Sequence, residues 1–258
     1  MMKEKLRSLF FKIWYWYIST IDKNADVIFM NYGYSCINQK LTLEPDDEKN
    51  RYSVQLYHHT ATSTDIIEKD LLEVGCGRGG GLSYINRTLF PKSVIGVDLN
   101  KKAVQFCNTY YKETNNTFFQ ANAQKLPFED NSFDVVLNIE SSHRYPEPDL
   151  FFKEVHRVLK PGGTFLFADF RFDFEIDELN KQLNNAKMQI EQKQDITSNV
   201  VEALKLATPE REKIVKKLAP RFLHNLGRNF AATIGSPTYN KFFNRKFLYV
   251  FYTIKKNN

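Results

Sequence analysis

The chain has 258 residues, 42% of them hydrophobic, a formal net charge of +6 and three scattered cysteines, Cys36, Cys76 and Cys107. That length suits one large domain, or a domain with an added cap, whose core needs neither disulfides nor a structural metal. With no C-x-x-C and no H-x-x-x-H spacing, a disulfide scaffold and a zinc site are excluded, no metal is expected, and a reducing cytoplasm is the simplest home. The basic excess is read as a solvated surface, part of it in a tail where Lys241, Arg245, Lys246, Lys255 and Lys256 have no acidic neighbours.

The opening segment, "MMKEKLRSLFFKIWYWYIST", holds an apolar run from Leu9 to Ile18 broken by Lys12. It is about half of the ~20 residues that span a bilayer, and no small-residue cleavage pattern follows it. An aromatic, basic, amphipathic helix is expected instead. It would pack over a pocket as a lid, the preferred reading, or give residues 1–21 a peripheral contact with a membrane surface.

From residue 70 to 170, apolar runs alternate with helical stretches. Strands are expected at 70–74, 93–98, 117–121, 133–139 and 164–170, with helices at 81–90, 101–111 and 149–159. Continuous apolar strands alternating with helices imply a parallel sheet covered on both faces, with ligands at the carboxyl ends of its strands. One shared rim therefore gathers residues 75–78, 98, 121–124 and 140–143. Further on, the pattern predicts a helix over 174–186, an edge strand over 187–196 and helices over 197–235 interrupted by Pro209 and Pro220. The alternating "KFLYVFYTIKK" (246–256) closes the chain as a last strand. The expected division is an N-terminal lid (1–60), a core (61–196 and 246–258) and a helical cap (197–245).

"EVGCGRGGG" (73–81) follows a strand and opens a helix, with Gly75, Gly77 and Gly80 matching G-x-G-x-x-G and Asp98 lying 23 residues after Gly75. Alone, that pattern also fits a dinucleotide. Glu73 argues otherwise, because a carboxylate beside the loop opposes a pyrophosphate. It suits a ligand with an ammonium group and a sulfonium. S-adenosylmethionine has both, and a ribose whose hydroxyls Asp98 would accept. The plainer reading of Glu73 is a capping or surface carboxylate.

"LLEVGCGRGG", "VIGVD", "LPFEDNSFDVV" and "EVHRVLKPGGTFLFAD" resemble the successive motifs of class I S-adenosylmethionine-dependent methyltransferases. More narrowly, "NYGYS", "RYSVQLYHHTA", "IESSHRY", "DITSNVVEAL" and "FAATIGSPTY" resemble the phthiotriol dimycocerosate methyltransferases and related small-molecule methyltransferases. The resemblance implies an α/β, Rossmann-like fold with a seven-stranded sheet whose last strand is antiparallel. It implies S-adenosylmethionine as cofactor and S-adenosylhomocysteine as product. By it, Glu73, Gly75, Cys76 and Gly77 line the methionine end, Asp98 and Leu99 hold the ribose, and Asn138 stands close by. Asn122, with Ala123 and Gln124, occupies the position where the family usually has an aspartate for the adenine amino group. Tyr34 and Ser35 would close over the methionine moiety, although Tyr32 and Tyr34 are equally readable as core aromatics.

Methyl transfer to a hydroxyl needs alignment, exclusion of water and removal of a proton. "ESSHRYPEP" (140–148) supplies His143 as candidate base at the rim. Glu140 would hold that imidazole in one tautomer or contact the cofactor's ammonium. Tyr145 and Trp14 are candidate walls of the substrate site, and His156, inside a helix away from the rim, is read as structural. His58 and His59 stay open. "NIES" stands where a nucleic-acid amino-methyltransferase carries N-P-P-Y, so nucleic acid is not expected as partner. The expected substrate is small and largely apolar, with O-methylation ahead of C- or N-methylation of a prenylated or lipid-like metabolite. The competing class is a non-catalytic, membrane-associated binding protein on the same scaffold, and a homo-oligomer is compatible with either.

Overall fold

The computed structural model describes residues 17–18, 20–22, 24–36 and 41–257. The helix expected at the start, and Trp14 with it, lie largely outside the described residues.

Among the described residues the strands are β1 (Asp70–Val74), β2 (Ser93–Asp98), β3 (Asn116–Gln120), β4 (Phe133–Ile139), β5 (Leu159–Phe172), β6 (Met188–Asp195) and β7 (Phe247–Lys256). They form one sheet in the order β3-β2-β1-β4-β5-β7-β6. β1 to β5 pair in parallel, and β7 runs antiparallel to both β5 and β6. The winding reverses between β1 and β4, which places a crevice at their carboxyl ends. β5 is longer than the apolar run suggests. Leu159 already pairs with Phe133, and a register shift between Phe133 and Val135 absorbs the Lys-Pro-Gly-Gly that follows.

Successive strand residues face opposite sides of the sheet. Leu71, Val135, Leu137, Leu166 and Phe170 join one core cluster with residues of the helices Arg51–Ala61, Gly80–Leu89 and Lys101–Tyr110. Leu72, Val136, Phe165 and Phe167 join the other, under helices Pro148–Val158 and Ile176–Asn185. The first of that pair buries Phe151, Phe152, Val155 and Val158 along one face, the spacing of an amphipathic helix.

Between β6 and β7 the chain inserts helices Thr197–Leu218, His224–Phe230 and Pro237–Phe243, which pack on one another and on β7. Helix Thr197–Leu218 runs straight through Pro209, where a break was expected. Pro209 leaves the Lys205 carbonyl without its helical N–H. Beside it the Thr208 hydroxyl donates to Leu204 O at 2.7 Å and accepts from Ile234 N–H at 3.1 Å, tying the helix to the turn that follows helix His224–Phe230. The break comes at Pro220, whose predecessor Ala219 is extended, as the proline ring requires.

Residues 24–36 form an irregular strap over the sheet's rim. Its start is held by Asp22, which accepts N–H bonds from Asp26 and Val27 at 3.0 and 2.8 Å and meets the Arg78 guanidinium at 3.1 Å, both side chains fully buried. Arg78 also lies 3.7 Å over the Phe106 ring. No helix of the described residues is long and apolar enough to cross a membrane.

Candidate active site

The turn after β1 is pinned to β2. Gly75 and Cys76 donate N–H bonds to Val97 O at 2.7 and 3.0 Å, and Gly77 donates to Asp98 Oδ2 at 2.9 Å. Gly75 has φ of +81°, and a Cβ there would lie 2.0 Å from Ser141 Oγ, so only glycine lets the turn approach β4's end so closely. Asn100 N–H holds the other Asp98 oxygen at 2.8 Å. The carboxylate is thereby oriented at the tip of β2, its remaining lone pairs open to a diol.

Glu73 is fully buried. Its Oε1 accepts from Tyr57 OH at 2.7 Å, while Oε2 is buried with no partner among the described residues. Burial pushes its pKa up to about 7, against the Tyr57 bond and with help from Asp98's charge. A buried carboxylate with an orphaned oxygen is costly unless a cation or donor joins it. Asn138 repeats the pattern: Nδ2 donates to Val74 O at 2.7 Å and Tyr145 OH at 3.2 Å, and its buried Oδ1 is unpartnered. Orphaned acceptors at Glu73 and Asn138, an oriented Asp98 and a glycine-lined approach fit the ammonium, sulfonium and ribose of S-adenosylmethionine.

The other expected contacts are placed less uniformly. Leu99 is 60% exposed beside Asp98. Asn122 is exposed, and its Oδ1 accepts from Gln124 N–H at 3.0 Å, which leaves one lone pair for an amino group. Ala123 is buried against the core. Tyr34 N–H donates to Tyr52 O at 2.9 Å in helix Arg51–Ala61. Its ring stacks on His59 at 4.3 Å, and Ser35 exchanges hydrogen bonds with Asn199, at 3.2 and 2.9 Å. The strap reaches the loop through Ile28, whose carbonyl accepts from Gly80 N–H at 3.2 Å, and Met30, whose methyl sits where a Gly77 Cβ would go. His58 Nδ1 pairs with Tyr84 OH at 2.9 Å.

His143 lies in a short 3-10 turn, Ser142–Arg144, just past β4. Its Nδ1 is 2.7 Å from Asp169 Oδ1, and its Nε2 has no partner among the described residues. The imidazole partner is thus Asp169, near the end of β5, and not Glu140. Asp169 is fully buried and accepts from Ser142 OH at 2.7 Å, His143 N–H at 3.0 Å and Phe170 N–H at 2.8 Å, with Arg171 at 3.1 Å. Those donors and the Arg171 charge hold it ionised, well below the usual carboxylate range. Burial outweighs Asp169's charge at His143 and lowers the imidazole to about 4. The ring is then neutral, donates Nδ1–H to Asp169 and keeps a lone pair on Nε2.

Glu140 has φ of +48°, rare for a residue with a side chain, and its Oε1 accepts Tyr32 N–H at 2.6 Å. Arg211, on the inserted helix, donates to Asn31 O and Tyr32 O, both at 3.0 Å, and to Ala231 O at 2.7 Å. Burial pushes Glu140 up to about 8.

Two clefts meet this region. One, of about 490 Å3, is bordered by His143, Tyr145, Phe170, Arg171, Phe172 and Lys241. The other, of about 500 Å3, is bordered by Phe29, Met30, Leu206, Ile214, Leu218 and Phe230. Tyr32 borders both. Tyr145 joins cleft and glycine turn, because its hydroxyl meets Ser141 Oγ at 2.7 Å. Asp169, Arg171 and Tyr57 escape a motif reading. Extending the strand-end rule from β4 to β5 finds the first two, whereas nothing in "SVQLYHH" marks Tyr57.

Residues 72–167 match the family described as a methyltransferase domain. Over 230 residues the chain is 43% identical to the probable phthiotriol/phenolphthiotriol dimycocerosates methyltransferase 2 of Mycobacterium ulcerans, covering 88% of this chain and 89% of that one. It is also 43% identical to a fatty-acid O-methyltransferase of Mycolicibacterium smegmatis, covering 83% of this chain and 78% of the relative. Among solved structures, the [4+2]-cyclase SpnF superposes with a TM-score of 0.72 at 20% identity over 93% of each chain, a likeness of fold alone.

Proposed function

The chain belongs to the S-adenosylmethionine-dependent methyltransferases, in the group of the phthiotriol dimycocerosate enzymes, and from that premise we propose that it methylates an oxygen of a lipid-like acceptor with His143 as general base. The observation that carries this reading is the His143–Asp169 pair: a neutral imidazole whose Nδ1–H is committed to a buried carboxylate and whose Nε2 is unpartnered beside a cleft. The relatives named for lipid substrates support the acceptor class.

Bound in the glycine-lined cradle, S-adenosylmethionine supplies an electrophilic methyl on a positively charged sulfur. Glu73 and Asn138 offer acceptors to its methionine end and Asp98 to its ribose. Ile28 and Met30 of the strap exclude water from the glycine turn. His143 Nε2 takes the proton from the acceptor hydroxyl as its oxygen is methylated, and Asp169 keeps the ring in that tautomer and stabilises the imidazolium. Residues 24–36, the described part of the expected lid over the rim, serve as lid and 197–245 as cap over this core.

His143→Ala is expected to lower turnover on a hydroxyl acceptor about 10²- to 10⁴-fold, with cofactor affinity by calorimetry unchanged. Turnover equal to the parent would remove His143 from the chemistry. A carboxylate acceptor needs no base, so a variant that still esterifies a fatty acid at full rate identifies the acid as the acceptor.

A further inference from the structure

The second cleft takes no part in the methyl transfer itself. Its apolar walls come from the strap (Val27, Phe29, Met30) and the insertion (Leu206, Ile214, Leu218), its polar side comes from residues 48–53 at the start of helix Arg51–Ala61, and nothing from the sheet contributes. The scaffold's core therefore does not require it, and a cleft of about 500 Å3 with one apolar side suits an apolar ligand. Leu206 is 48% exposed on its rim. Both clefts carry charged side chains, but those of the His143 cleft, Arg171, Lys241, Glu175 and Glu178, share it with the imidazole, whereas in the second cleft Phe29, Met30, Leu206, Ile214 and Leu218 form an apolar side.

One residue joins the two. Tyr32 borders both clefts, and its backbone is clamped, N–H to Glu140 and carbonyl to Arg211. For a molecule with its oxygen at His143 Nε2, Tyr32 is the post that a long tail would pass to reach the second cleft.

We propose that the second cleft, between strap and insertion, is the tail subsite, which takes the linear alkyl or acyl chain of the acceptor while the His143 cleft takes its polar head. This rests on the lipid-like acceptor proposed above, and it divides that acceptor between two sites. Chain length is read in the second cleft and the reacting group in the first.

The test measures binding of a fluorescent sixteen-carbon fatty acid to the full chain with S-adenosylhomocysteine present, in the parent and three variants. Ala207→Trp fills the cleft from the inserted helix, Ile214→Asp makes its wall polar, and Lys213→Trp places the same bulk on an exposed part of the helix. The first two are expected to weaken the probe at least about tenfold, a loss of about 1.4 kcal/mol, and Lys213→Trp to leave it unchanged. Melting temperature and S-adenosylhomocysteine affinity identify variants that have misfolded, and two independent cleft variants protect against losing one. An eight-carbon probe should lose less than the longer one in both cleft variants. Equal loss for both lengths, undiminished binding in both variants, or no binding to the parent overturns the subsite. Binding with the expected pattern but no methyl transfer to any chain would sink the lipid-methylation reading and leave the subsite standing.

Discussion

At Glu73, Tyr57 satisfies one oxygen and the other is left in a dry site, so the carboxyl is pushed up to about 7. A ligand that brings positive charge binds the ionised form. Cofactor affinity is therefore expected to rise about tenfold between about pH 6 and about pH 8, following the ionised fraction of a group with that midpoint. Calorimetry across that range checks it, and Glu73→Gln should bind weakly with a flat profile. A steep profile surviving in Glu73→Gln would assign the titration elsewhere. Asp169→Asn probes the other buried carboxylate. It leaves Arg171 without its charge partner and lets the imidazole ring take the wrong tautomer, so turnover should fall by a factor of about 10² or more. Cofactor affinity should stay put, and an unchanged turnover number would reduce Asp169 to an anchor for Arg171.

Helix Gly80–Leu89 meets helix Arg51–Ala61 at Gly81, where a Cβ would lie 1.9 Å from the Tyr57 ring. Gly81→Ala must push that ring away, and with it the hydroxyl on Glu73. The expected cost is about 1–3 kcal/mol of stability, read by denaturant unfolding, together with weaker cofactor binding. A variant as stable as the parent would mean that the two helices slide apart freely. This contact shows what a sequence does and does not disclose. "GCGRGGG" displays the third glycine of the motif but not that the next one exists for a tyrosine 24 residues upstream. β1, β2 and β4 were legible to the residue because each is a short, mostly apolar run rich in branched residues and bounded by turn or polar residues, even with Glu73 and Asn138 inside. Strand-end geometry made His143 legible as a rim residue. Asp169 was hidden because its role depends on β5 lying beside β4 in register, and Asn138 pairs with Phe167 and Ile139 with Ala168 only in the folded sheet. The course of residues 24–36, with Tyr34 on His59, depends on contacts with three distant elements and has no periodic signal.

The whole molecule stores like-signed strain in its site. Glu73 and Glu140 have folded values of about 7 and about 8 against an ordinary 4.5. The stability they contribute is present below the ordinary value and is lost as pH rises through the folded ones. His58, His59, His143 and His156 are depressed from 6.5, so their contribution is lost only as pH falls below that value. The interval from about pH 6.5 to about pH 8 thus belongs to the two carboxyls, and the ligand-free protein should melt at lower temperature as pH rises through it. Scanning fluorimetry checks the slope, and saturating cofactor should flatten it by pairing Glu73. A melting temperature that climbs across the interval would contradict the assigned directions. The Arg211 clamp acts on the same scale. It ties the strap over the glycine turn to the insertion that borders both clefts. If the strap lifts to exchange cofactor, the walls of the second cleft are unmade with it, and an acceptor seated there would hold the strap down. Product-inhibition kinetics are therefore expected to show a compulsory order, with cofactor first on and its demethylated product last off, and a random order would show that the strap opens independently of the insertion.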